Sequence, residues 1–119
     1  MIRRTLPLPL LCAALAACAS PLTNNAAEAT VSVYKSRGGL QCENNAIAVT
    51  ELERQLKDAG IRVAATACGH DGRMRPQMCG RPDGNIAIFE IPANKLDAAV
   101  ALKFMPMDAA KDASRGACS

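Results

Sequence analysis

The sequence has no tryptophan and only three aromatic residues, Tyr34, Phe89 and Phe104, in 119 positions. Stacking of nucleobases on aromatic faces is thereby nearly excluded. A charge surplus is also missing. Fourteen basic residues against 11 acidic ones give +3, and Arg3 and Arg4 carry two of those charges at the N-terminus. A domain left at about +1 cannot neutralise a run of phosphates, so nucleic acid is not an expected partner. Nor is there a long apolar run. The stretch from Thr5 to Ala19 spans 15 residues, whereas a helix needs about 20 to cross a bilayer. Catalytic signatures are absent as well: no Gly-x-Ser-x-Gly, no phosphate-binding glycine loop and no paired-carboxylate pattern. The single histidine, His70, is followed by Asp71, but adjacent loop side chains do not supply a nucleophile, a base and a third orienting group. An enzyme is not expected, and no cofactor is implied.

What the sequence does have is a leader. Met1 to Arg4 form a short positive start, Leu6 to Leu15 are apolar apart from two prolines, and Leu15-Ala16-Ala17-Cys18 ends the segment in small residues. That order is a secretory signal peptide, residues 1–17. The last four residues resemble the lipobox of bacterial lipoprotein precursors, an aliphatic residue and two small ones before a cysteine. The resemblance implies that the Cys18 thiol takes a diacylglyceryl group and that Cys18 becomes the mature N-terminus. Two or three acyl chains anchor stably where one anchors only marginally, so the resemblance makes the membrane a partner through the lipid. Ala19, in place of an aspartate, points to the outer membrane facing the periplasm rather than the inner membrane. The alternative is cleavage after Ala19, which Ala17-Cys18-Ala19 also permits and which gives a soluble periplasmic or secreted protein.

Residues 18–29 continue as the acylated cysteine and a tether of Ala, Ser, Pro, Thr, Asn and Glu without periodicity. A domain is expected over residues 30–107, followed by a polar tail, 108–119. Thr30 to Lys35 alternate and are β-branched, a first strand. Thr50-Glu51-Leu52-Glu53 reads as a capping box opening a helix through Val49, Leu52, Leu56 and Ala59, with a start nearer Ala46 as the alternative, and Gly60 stops it. Ile61–Ala67 and Asn85–Ile91 are two more strands, the latter with Ile86 and Ile88 on one face and Phe89 and Ile91 on the other. Asn94 is a candidate cap for a second helix through Leu96, Ala99, Val100 and Lys103. Lys103 to Met107 offers a short edge strand blunted by Pro106. The expected fold class is therefore α+β: a small, disulfide-stapled, ferredoxin-like βαββα unit, with or without the final β. It has an antiparallel sheet and two helices on one face. That fold carries no function by itself.

Six cysteines include Cys12 in the leader and Cys18, leaving Cys42, Cys68, Cys79 and Cys118. In an oxidising compartment these are staples for a domain near the lower size limit of a self-sufficient core. Four cysteines allow three pairings. Cys68 with Cys79, closing the intervening loop, is the first expectation, and Cys42 with Cys118 the second. Crossed pairing of Cys42 with Cys68 or Cys79 stays open.

The loop 68–84 is dense in Gly, Asp, Arg and Pro. Its Arg73, Arg75 and Arg81 can fork onto carboxylates or phosphates of an envelope protein or polysaccharide. His70, Met74 and Met78, soft donors four residues apart, offer a copper(I) alternative, and reduced Cys68 and Cys79 with His70 a weaker zinc one. Gly72 and Pro76 argue against the helix that would align the copper set. The leading functional expectation is a non-enzymatic envelope interaction module. The rivals are a copper-binding envelope protein and a secreted inhibitor acting through the 68–84 loop.

Overall fold

The structure is a computed structural model and describes residues 28–118. The expected signal peptide, the expected lipid site Cys18 and the expected tether up to residue 27 lie outside the described residues. The architecture is α+β. A five-stranded, wholly antiparallel sheet is built from β1 (Thr30–Ser36), β2 (Ala65–His70), β3 (Asn85–Pro92), β4 (Met105–Pro106) and β5 (Ser114–Gly116). The helices are α1 (Val49–Asp58) and α2 (Leu96–Ala101). The strand order is β4-β1-β3-β2-β5, so β3 lies between the two strands that α1 connects, and β1 between the two that α2 connects.

β3 occupies the centre because it can bury both faces. Its register sets Val33 opposite Phe89 and Val31 opposite Ile91, and alternation sends these four side chains to one face. There Phe89, Ile91, Ala87 and Val33 form one cluster with Leu52 and Leu56 of α1, Ala99 of α2, Ile61 and Phe104. Both helices therefore cover the same face. Phe89 and Phe104 meet edge-to-face, with centroids 5.9 Å apart and an interplanar angle of 72°, the arrangement that aromatic quadrupoles favour. Ile86 and Ile88 point the other way and are equally shut from solvent, at 1% exposure.

Both helices end in the same device. After α1, the Gly60 amide donates to the Lys57 carbonyl and the Ile61 amide to the Leu56 carbonyl. This is a Schellman stop, and Gly60 takes the left-handed φ of 77° that it requires. Ile61 and Leu56 then supply its apolar contact, both buried. After α2 the Lys103 amide donates to the Val100 carbonyl and the Phe104 amide to the Ala99 carbonyl. Here the left-handed position, φ 72°, is held by Lys103.

Four local expectations are corrected. The N-cap of α1 is Ala48, without a side-chain cap bond, so Thr50 does not cap; the helix begins earlier because Val49 packs on the core. Asn94 lies in a 3-10 turn, Ala93–Lys95, that precedes α2 and likewise has no side-chain cap bond. β2 starts at Ala65 rather than Ile61, because Ile61 is spent on the helix stop, and it extends through His70, which pairs with Asn85. The polar tail joins the sheet: β5 pairs with β2, setting Cys68 opposite Gly116.

The pairing of the cysteines follows from these placements. Cys42 is bonded to Cys79 and Cys68 to Cys118, with Cα atoms 5.1 and 4.8 Å apart. The expected Cys68–Cys79 and Cys42–Cys118 pairs do not form. β5 delivers Cys118 to Cys68, whereas the Gln41 amide donates to the Arg81 carbonyl and the Gly80 amide to the Gln41 carbonyl, seating Cys42 beside Cys79. The bridges span 37 and 50 residues, worth about 4 kcal/mol each on the chain-entropy account. The fold thus has two disulfides, which fits an oxidising, extracytoplasmic compartment. No helix among the described residues is long and apolar enough to cross a membrane.

Candidate binding groove

Between β2 and β3 the chain runs from Asp71 to Gly84 with few apolar residues to fold it. Polar bonds fold it instead. Gln41, which carried no signal in the sequence, is the hub. Its Nε2 donates to the carbonyls of Pro76 (3.0 Å) and Pro82 (3.3 Å), and its Oε1 accepts from the Met78 amide (2.9 Å). The neighbouring Cys42–Cys79 bridge fixes the same corner covalently.

A second stitch joins Asp71 to Arg75. The guanidinium donates through Nη1 to Oδ1 at 2.7 Å and through Nη2 to Oδ2 at 2.6 Å. Oδ1 also accepts the Arg73 amide at 3.0 Å. The Arg75 fork, aided by that amide and opposed by partial burial, lowers the Asp71 carboxyl from its ordinary 3.8 to about 2. The same bonds raise the Arg75 guanidinium. Arg75 is therefore committed within the loop.

His70 closes the base. Its Nδ1 accepts the Gly72 amide at 3.0 Å, which places the ring proton on Nε2, 2.9 Å from the Asp83 carbonyl that receives it. Both nitrogens are engaged with backbone. Neither is free to act as a general base, and a metal at His70 would have to displace one of these bonds. His70, Met74 and Met78 do line one cleft of about 740 Å3, together with Arg73. Met74 is 98% exposed. Among the described residues no three His, Cys, Asp or Glu side chains group as metal donors, and Cys68 and Cys79, the zinc alternative, are each in a different disulfide.

A second cleft, of about 620 Å3, lies on the sheet face turned away from the helices. Tyr34, Ser36 and Ile86 give its floor, the Asp71–Arg75 stretch one wall, and the segment Ala109–Asp112 the other. That segment crosses close over the loop: a Cβ on Gly72, itself at φ 74°, would collide with the Asp112 carbonyl. Pro82, Lys103, Met105 and Lys111 also border it, as does Lys35, whose ammonium donates to Gln55 Oε1 and the Leu102 carbonyl. Among the described residues Arg73, Lys103 and Lys111 have no carboxylate partner.

The three loop arginines thus divide. Arg73 borders both clefts, Arg75 borders both but is tied to Asp71, and Arg81 lines neither. The sequence reading missed Tyr34, Gln41, Lys103 and Lys111. Only the fold brings these together, since Lys111 belongs to what reads as tail and Lys103 as the end of a helix. No family model matches the chain, and neither a curated protein nor a solved structure matches it.

Proposed function

We propose that this chain is an exported, lipid-anchored, non-enzymatic binding module of a bacterial envelope. In this reading residues 1–17 direct export, Cys18 carries the acyl chains, and the domain faces the periplasm from the outer membrane. The fold is read as a ferredoxin-like unit extended at one edge by β5. The observation that carries the binding role is the construction of loop 71–84. It is long and polar, yet locked by Gln41, by the Cys42–Cys79 bridge and by the Asp71–Arg75 fork. Above this locked frame Arg73, without a carboxylate partner among the described residues, is exposed between two clefts. Preorganisation of this kind lowers the ordering cost of binding, and a planar guanidinium with no carboxylate partner among the described residues suits a carboxylate or phosphate. Catalysis is disfavoured because both nitrogens of His70 and all four domain cysteines are otherwise engaged.

Two measurements test this reading. Expression in a bacterial host with radioactive palmitate should label the wild type and not Cys18→Ser; an unlabelled wild type with its N-terminus at Ser20 contradicts the anchor. Crosslinking in the intact envelope followed by pull-down should recover a partner from the wild type and much less from Arg73→Ala. Equal recovery moves the interaction off the loop. Recovery only from culture medium favours the secreted, inhibitor-like alternative.

A further inference from the structure

We infer that the cleft between loop 71–75 and segment 109–112 is a ligand site for a small amphiphilic anion, a carboxylate or phosphate on an acyl or aromatic body. This rests on the binding-module reading and names the class of ligand that the module takes. Three independent features converge there. The first is shape: about 620 Å3 falls within the roughly 300–1,000 Å3 of small-molecule sites.

The second is charge. Arg73, Lys103 and Lys111 reach the rim from three separate segments, and none has a carboxylate partner among the described residues. The rim carboxylate of Asp71 is already neutralised by Arg75, leaving Asp112 as the one other acid on the rim. Cations gathered on one concave surface focus the field on an incoming anion. Tyr34 and Met105, over the buried Ile86, offer an apolar and aromatic bed for the rest of such a ligand.

The third is backbone strain. The two helices end in the same hydrogen-bonded stop, yet the left-handed residue is glycine in one and Lys103, at φ 72°, in the other. A lysine there is held against its conformational preference. Its presence at the rim of the cationic cleft gives that strain a use: the stop fixes where the Lys103 side chain leaves the backbone.

The test uses the full chain in its exported Cys18→Ser form, so that no detergent competes for the probe. Binding is measured by calorimetry for 1-naphthyl phosphate, 1-naphthoate, neutral 1-naphthalenemethanol and inorganic phosphate. Both naphthyl anions should bind, and the alcohol and inorganic phosphate at least about tenfold more weakly, because only the former satisfy both cations and bed. The preference between the two anions separates a phosphate from a carboxylate ligand. The triple variant Arg73→Ala, Lys103→Gly, Lys111→Ala should lose about tenfold or more, while Arg54→Ala, at an exposed position of α1 paired with Glu51 and away from the cleft, should not. Melting of each variant checks its folding; Lys103→Gly alone should melt no lower than wild type and still bind the anions less tightly. Equal binding of the alcohol, or undiminished binding by a folded triple variant, overturns the assignment. If no probe binds while the crosslinked partner is still recovered through Arg73, the cleft assignment is wrong and the binding-module reading stands.

Discussion

On the helix side of the sheet, Phe89, Leu52, Leu56, Ile61 and Phe104 shut one another from solvent with no polar bond among their side chains. On the loop side, Gln41, His70, Asp71 and Arg75 hold a largely exposed segment by directed hydrogen bonds and a disulfide. The first region depends on buried area, which is insensitive to pH and reductant. The second depends on charge state and on the oxidised cysteines. A domain of this size can thus keep a core and a shaped polar surface apart, so that changes to one leave the other usable.

The largest effect expected is on the helix side. Phe89→Ala removes a fully buried ring at the centre of the cluster, and should cost about 3–5 kcal/mol in denaturant unfolding. That loss should be the same at pH 4 and pH 7, since the cluster around Phe89 is made of apolar residues. A much smaller loss would mean that the helices contribute little to holding the sheet.

Gln41→Ala sharpens the contrast from the other side. It deletes three hydrogen bonds to the loop, each worth about 0.5–1.5 kcal/mol net and less where exposed, so about 1–2 kcal/mol in total is expected. The loop should become a preferred site of limited proteolysis while β1 and β3 stay intact.

Asp71→Asn tests the charge dependence. Because the folded carboxyl sits near 2, below its ordinary 3.8, it adds stability that is present above about pH 4 and lost as pH falls through about 2. Unfolding followed between pH 5 and 2 should show a shallower acid loss in the variant than in the wild type. An unchanged slope would mean that the Arg75 fork does not persist in solution.

The smallest effect has the opposite sign. Lys103→Gly relieves a left-handed lysine, and should raise stability by about 0.5–1 kcal/mol on thermal or denaturant unfolding. A loss instead would show that the Lys103 side chain supports the fold rather than the cleft.

The same division governs what could be read in the sequence. β1, α1, β3 and the two opposed faces of β3 were legible because apolar residues recur at the spacing of their elements, as Val33, Leu52, Leu56, Ile86 and Phe89 do. The start of β2 was misread because Ile61 looks like a strand residue and serves as the apolar contact of a helix stop. β5 was missed because Ser114-Arg115-Gly116 has no apolar alternation; it is a short edge strand, exposed throughout, whose place is set by its backbone bonds and by Cys118. The cysteine pairing was illegible for the same reason, since β5 is what carries Cys118 to Cys68 and frees Cys79 for Cys42. At the candidate site, Arg73 was singled out by composition, whereas Gln41, Lys103 and Lys111 matter only through contacts from distant parts of the chain.

The measurement that tests the separation of core and loop most directly is amide hydrogen exchange on the Cys42→Ala, Cys79→Ala variant, with Cys68–Cys118 intact. The amides of Gln41, Met78, Gly80 and Arg81, bonded within the stapled corner, should lose their protection. Those of Val33 and Phe89 in the β1–β3 ladder should exchange only through global opening. If the ladder amides instead lose protection together with the corner, loop and core are one cooperative unit and the account is contradicted.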